Sequence, residues 1–298
     1  MDWFDLATFV ALFALMLSIG TALTVEDFQR VARFPRLVVI GSVAQFLLLP
    51  VVAGVIVALM DLRADVVVGV LILGACPGGG FSNLYTYAGG GHLALSVTLT
   101  AVTCLVAVLV MPEILWFEFL LFSDRAHVVP VPALQMFAEL LARVLAPIAV
   151  GMLIRRRWPE WTEKHADKIS RGTLLLMAAM IPAVLADQGV RVLSDALDGI
   201  LPALIFTKVA MLLGLVLGIL LSPSASNRFT LAIEFGVRNV AVAVVICWSV
   251  LKRPELLAYC LAYTVVQIPL ALLAIYIFRK LAARPSDPNL ASRSSFRE

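Results

Sequence analysis

Charge is what this sequence has least of. Asp, Glu, Lys and Arg make up 14% of its 298 residues against 61% apolar residues. That balance excludes an ordinary soluble domain of this length, which needs more polar surface to cover itself. Short segments of alternating polarity are also missing, which excludes an outer-membrane barrel. The N-terminus, MDWFDLATF, has no basic region and no small-residue cleavage site, so no signal peptide is expected and the first apolar segment stays. Cysteines are few and none is in CxxC spacing. Cys76, Cys104, Cys247 and Cys260 all fall inside apolar segments, as small packing residues do, rather than as a disulfide or metal set. His92, His127 and His165 lie between such segments and form no HExxH. "GFSNL" lacks the second glycine of a nucleophile elbow. With these absences the chain is read as a non-enzyme without an organic cofactor. A net charge of only +3 suggests no nucleic-acid partner.

What is present is apolar length. A bilayer core takes roughly 20 apolar residues per helix. Nine segments qualify: 3–24, 36–60, 66–88, 92–112, 131–154, 172–190, 199–221, 229–251 and 256–278. The expected fold is therefore an all-α polytopic membrane protein of nine transmembrane helices over residues 1–280. A polar tail, 281–298, is expected to be disordered. Basic residues concentrate in one set of loops, at Arg30, Arg33, Arg36, Arg155–Arg157, Lys164, Lys168, Arg171 and Arg228, and again in the tail. The other loops hold only Arg63, Arg125, Arg191, Lys252 and Arg253. The positive-inside rule then places the N-terminus outside and the C-terminus in the cytoplasm.

Two segments are interrupted. The third reads "GACPGGGFSNLYTYAGGG", where Pro77 removes a helical hydrogen bond and Gly78, Gly79 and Gly80 weaken the next turn. Unwound backbone is tolerated at that depth only when buried in protein or lining a cavity. The eighth, "TLAIEFGVRNVAVAVV", carries Glu234, Arg238 and Asn239 about Gly236. Aligning "GFSN" with "GVRN" pairs Ser82 with Arg238 and Asn83 with Asn239. Gln45 and Lys208 occupy the middles of the second and seventh segments. Segments 1–4 thus read as a degenerate copy of segments 6–9. The odd offset of five inverts one copy relative to the other, a pattern of secondary transporters whose sites lie where the two breaks meet. Lys208, ionisable at mid-span, is expected either beside that crossing or snorkelling to an interface. Glu139 and Arg143, four apart, read as a self-neutralising pair.

On "GACPGGGFSNLYTYAGGGHLALSVTLT", "QFLLLP" and "EFGVRN", the chain resembles the bile acid:sodium symporter family, in its nine-helix form, from about Gly20 to Ile277. The resemblance implies a core domain (36–122 and 199–280) moving against a panel domain (3–24 and 131–190). It implies a first sodium site at Ser82, Asn83, Ser96, Thr100 and Glu234, all oxygen donors. Ser96 and Thr100 share one helix face. The family's second site would use Glu234, carbonyls beside it, Gln45 and the residue four after the Glu. That residue is Arg238 here, a departure, since a guanidinium has no acceptor and cannot ligate a cation. Arg238 is therefore expected to replace the second ion with a tethered charge paired to Glu234. Asn239, the backbone at Gly80, and Lys208 are the substrate-contact candidates. The implied function is sodium-coupled symport of an organic anion, bile-acid-like or a small carboxylate such as pantoate or a keto acid. Alternating access with one sodium per substrate by a monomer is expected. Rivals are an arsenite efflux permease, with Cys76 at its break, and a sodium-independent transporter or non-transporting receptor locked by a Glu234–Arg238 clamp.

Overall fold

The computed structural model describes residues 3–29, 34–127, 133–166, 168, 169, 171, 172, 175, 189 and 191–282. The expected sixth span, 172–190, lies almost wholly outside the described residues, as does the tail from 283 onward. Helices account for the regular structure throughout, in the order α1 (Trp3–Ala22), α2 (Val25–Gln29), α3 (Pro35–Leu59), α4 (Ala64–Ala75), α5 (Gly80–Gly89) and α6 (Leu93–Leu121). There follow α7 (Ala133–Arg157), α8 (Arg191–Leu221), α9 (Ala225–Gly236), α10 (Val240–Val250) and α11 (Leu257–Ala282). Among the described residues α3, α6, α7, α8 and α11 are each long and apolar enough to cross a bilayer. The protein is a multi-pass α-helical membrane protein.

Local chemistry sets where these helices stop. Pro35 occupies the first turn of α3, where its missing N–H is no loss. Residue Cys76 is extended (ψ 148°) because it precedes Pro77, so α4 ends there. Gly90 closes α5 in the left-handed region (φ 81°), a C-cap only glycine adopts freely. Asn239 starts α10 by accepting a hydrogen bond from Val242 N at 3.3 Å. In α7, Pro147 cannot donate to the preceding turn, and a single π turn over Leu141–Leu145 takes up the mismatch. A second π turn, Ile246–Val250, ends α10.

Lipid offers no hydrophobic drive between helices, so contact rests on close packing. A Cβ on Gly20 would lie 2.1 Å from the Ile148 carbonyl oxygen, and one on Gly151 2.3 Å from that of Leu17. Helices α1 and α7 therefore touch backbone to backbone. Glu139 and Arg143 form the expected pair on α7, and the Arg143 guanidinium also lies 5.6 Å over the Phe9 ring of α1. All four cysteines are free and buried. At one rim of the bundle Arg63 joins α4 to α8, bonding Asp195 at 2.6 Å, Asp198 at 3.1 Å and Asp65 at 3.2 Å. Those carboxylates, Asp195 foremost, hold its pKa above the ordinary arginine value.

Candidate functional site

The third and eighth expected spans are each two helices with a gap: α4 and α5 around Cys76–Gly79, α9 and α10 around Val237–Asn239. The gaps meet. Gly78 and Arg238 form an isolated antiparallel bridge. Gly79 N donates to the Val237 carbonyl and Asn239 N to the Pro77 carbonyl, both at 3.0 Å. Each unwound segment thus satisfies the other's backbone, which a dry interior requires. A Cβ on Gly79 would lie 2.8 Å from the Arg238 carbonyl oxygen, so only glycine lets the strands come this close. The register differs from the "GFSN"/"GVRN" alignment. Ser82 and Asn83 sit in the first turn of α5, past the first gap, whereas Arg238 and Asn239 are inside the second gap.

Behind the crossing the five expected oxygen donors converge. Ser82 Oγ donates to Glu234 Oε1 at 2.5 Å, and Ser96 Oγ reaches the same oxygen. Thr100 Oγ1 lies 3.2 Å from Glu234 Oε2 and 3.4 Å from Asn83 Oδ1, and Ser96 Oγ lies 2.8 Å from that amide oxygen. Ser82 Oγ is also 2.6 Å from the Gly79 carbonyl. Each hydroxyl carries one proton, yet Ser82 and Ser96 each face two competing acceptors and Thr100 faces three acceptor oxygens. Lone pairs outnumber protons, and a hard cation is what such a cluster of oxygens accommodates. Glu234 is fully buried, and Gly78 backs it, since a Cβ there would lie 2.9 Å from Oε2.

Arg238 turns away from the carboxylate. Its expected pairing with Glu234 does not form. Nη1 donates to Gln45 Oε1 at 2.7 Å and to the Glu234 backbone carbonyl at 3.3 Å, while Nη2 donates to the Cys76 carbonyl. The reason is geometric: α4 ends at Cys76 and leaves its carbonyl unpaired beside Gln45 of α3, and these neutral acceptors compete successfully for the guanidinium. The Glu234–Arg238 clamp that a locked receptor would use is absent. Residue Tyr263 of α11 completes the second gap, its hydroxyl donating to the Gly236 carbonyl at 2.7 Å and accepting from Arg238 N at 3.2 Å. Sequence reading missed Tyr263, one of three tyrosines in the apolar run of α11 beside Tyr259 and Tyr276.

A cavity of about 710 Å³ opens beside the crossing, between α1 and α7 on one side and α5, α10 and α11 on the other. That is the size of a small-molecule site. Gly80, Asn83, Thr100, Arg238 and Asn239 line it, in walls that are mainly apolar but also carry Ser18, Arg155, Thr264 and Gln267. Asn83 and Thr100 therefore border both the cavity and the oxygen cluster. Cys76 lies outside the lining, which removes the feature that suggested a metalloid permease. Lys208 lies outside it too. Its side chain is exposed on the outer face of α8 with Leu201 and Leu212, while Phe206, Thr207 and Ala210 turn inward. Depth along a span could be read from sequence, but the helix face could not, and the expectation that Lys208 touches substrate is withdrawn.

The fold and site together define a multi-pass membrane protein whose two interrupted helices pair across a buried carboxylate. Residues 9–195 match the sodium bile acid symporter family, and the chain belongs to it. It is 28% identical to an uncharacterized sodium-dependent transporter of Bacillus subtilis, over 80% of this chain and 72% of that protein. With a protein of Oryza sativa subsp. japonica described as a "probable sodium/metabolite cotransporter, chloroplastic" it shares 30% identity, over 95% of this chain and 66% of that one. The hepatic sodium/bile acid cotransporter of Rattus norvegicus is 27% identical, over 90% of this chain and 75% of its own length.

Proposed function

We propose that the protein is a sodium-coupled symporter of an organic anion, working by alternating access with one sodium per substrate. The observation that carries this is the proton-poor oxygen cluster of Ser82, Asn83, Ser96, Thr100 and Glu234, bordering a cavity of substrate size. Sodium is the coupling ion, bound behind Asn83 and Thr100 so that ion and anion meet across one wall. The relatives' sodium dependence favours the same ion.

Arg238 takes the place of a second sodium. Its guanidinium occupies Gln45 Oε1 and the carbonyls of Cys76 and Glu234, the kind of oxygen donors a second ion would use. A charge fixed there cannot leave with the substrate. Asn239 and the Gly80 backbone contact the anion. Nine helices in inverted repeats, with a core (36–122, 199–280) rocking against a panel (3–24, 131–190), are the proposed frame. The antiparallel Gly78–Arg238 pairing supports that inversion. The proposed setting is a bacterial inner membrane, with the N-terminus outside and the C-terminus cytoplasmic.

Thermal unfolding in nanodiscs tests this directly. Sodium should raise the melting temperature of the wild type by mass action. Glu234→Gln and Asn83→Ala should each remove that rise while leaving the sodium-free melting temperature close to wild type. An unchanged sodium response in both variants would refute the site.

A further inference from the structure

Two charges of opposite sign point outward, where lipid would otherwise lie. Lys208 is exposed on α8 among Leu201 and Leu212, and Glu113 is exposed on α6 among Leu109 and Phe117. Neither makes a hydrogen bond or an ion pair among the described residues. Both sit deep along their helices. The Arg63 rim gives the reference level: Asp198 bonds Arg63 there, and Arg125, just past Phe122, bonds the Val57 and Met60 carbonyls at the end of α3. Lys208 is ten residues inward from Asp198 and Glu113 nine inward from Phe122, about 15 and 14 Å at 1.5 Å per residue. Leu221, at the other end of α8, is thirteen residues from Lys208, so its stem cannot snorkel to either surface. Charges at such depth belong against a partner rather than against hydrocarbon.

The helices that carry them flank a third. Helix α3 packs against both α6 and α8, with α4 buried behind it. Outward it presents Val39, Val43, Leu47, Val51 and Val55, spaced four apart as one ridge. An exposed apolar ridge alone says nothing in a membrane protein, since lipid covers it equally well. The opposite charges at equal depth beside it are what call for protein.

We infer that this face is the interface of a two-fold dimer, with α3 against α3 about an axis along the membrane normal. A two-fold axis sets α6 of each copy opposite α8 of the other. Glu113 of each copy then meets Lys208 of the other, twice, and no charge is left to lipid. A second copy of this chain is thus the partner, where a monomer was expected. All three helices belong to the proposed core, so the dimer joins two cores and leaves both panels free at the periphery.

Photobleaching of labelled full-length chains, diluted in phosphatidylethanolamine–phosphatidylglycerol liposomes, reads the oligomeric state. Wild type should bleach in two steps. Lys208→Glu alone and Glu113→Lys alone each put like charges at both contacts, and each should weaken dimerisation about a hundredfold or more. Mixed with one another, these two variants should dimerise again, because both contacts become opposite in sign. Cooperative melting of each variant controls for folding. A second route adds no charge: chains with Glu113→Cys, mixed with chains carrying Lys208→Cys, should couple covalently under copper phenanthroline, and neither variant should couple alone. A monomeric wild type overturns the interface, as does wild-type dimerisation in both reversals. No rescue on mixing folded reversals, or no coupling in the cysteine mixture, overturns the Glu113–Lys208 pairing. None of these outcomes depends on which solute is carried, so the transport reading is tested separately.

Discussion

The first helix gap, Cys76–Gly79, is built from residues with almost nothing beyond the backbone, while the second, Val237–Asn239, carries a guanidinium and an amide. The first opens because Pro77 and two glycines cannot hold a helix. The second contains neither, and is held open from outside, by Tyr263, by the Pro77 and Gly79 backbone and by the bonds Arg238 makes to Gln45 and Cys76. The bareness of one gap makes room for the bulk of the other. Two unwound segments crossing inside a membrane protein need not share a sequence motif; they need complementary volume and mutual hydrogen bonding.

Removing Arg238 should break this complementarity most severely. Arg238→Leu leaves the Cys76 carbonyl and Gln45 Oε1 buried without a donor, at about 1–3 kcal/mol each. A large fall in melting temperature in nanodiscs is expected, and a shift of under a degree would show that the guanidinium does not hold the crossing. Arg238→Gln should fall less, since an amide can still donate. It should turn the sodium dependence of uptake sigmoidal, as a vacated second site admits an ion, and a wild type already sigmoidal would contradict the tethered charge. Next in size, Gly79→Ala places a methyl 2.8 Å from the Arg238 carbonyl oxygen. Overpacking of this kind costs about 1–3 kcal/mol, and uptake should drop with stability. A smaller effect is expected of Ser96→Ala, which removes one oxygen from the cluster and should weaken sodium binding by about tenfold with little change in stability. Least of all, Asp198→Asn at the exposed Arg63 network should change stability by no more than about 1 kcal/mol, and less in high salt.

Much of this crossing could be read from residue types. Proline and glycine mark the first gap, five oxygen-bearing side chains mark the cluster, and the structure brings those five together. What the sequence could not carry is direction. Arg238 is near Glu234 in sequence, yet its partner depends on where α4 ends and on the reach of Gln45, both set by tertiary packing. The four-residue error in aligning the gaps has the same origin: "GFSN" and "GVRN" match in letters, but Pro77 starts its gap earlier. Lys208 has the depth of a site residue along α8, but its rotation about the helix axis turns it outward. Tyr263 is one of three tyrosines on α11, and residue type alone does not say which of them faces the crossing.

The buried guanidinium has an electrical consequence. On the proposed stoichiometry the travelling cargo is one sodium and one monovalent anion, while Arg238 and Glu234 stay with the protein. Net charge moved per cycle is zero, so uptake is electroneutral. A second mobile sodium would have let the membrane potential contribute about 2.3 kcal/mol per 100 mV. At about 1.4 kcal/mol per tenfold, that is a factor of more than ten in the accumulation ratio. On that stoichiometry the protein forgoes that contribution: at steady state the anion gradient can at most mirror the sodium gradient, and it holds steady when the membrane depolarises.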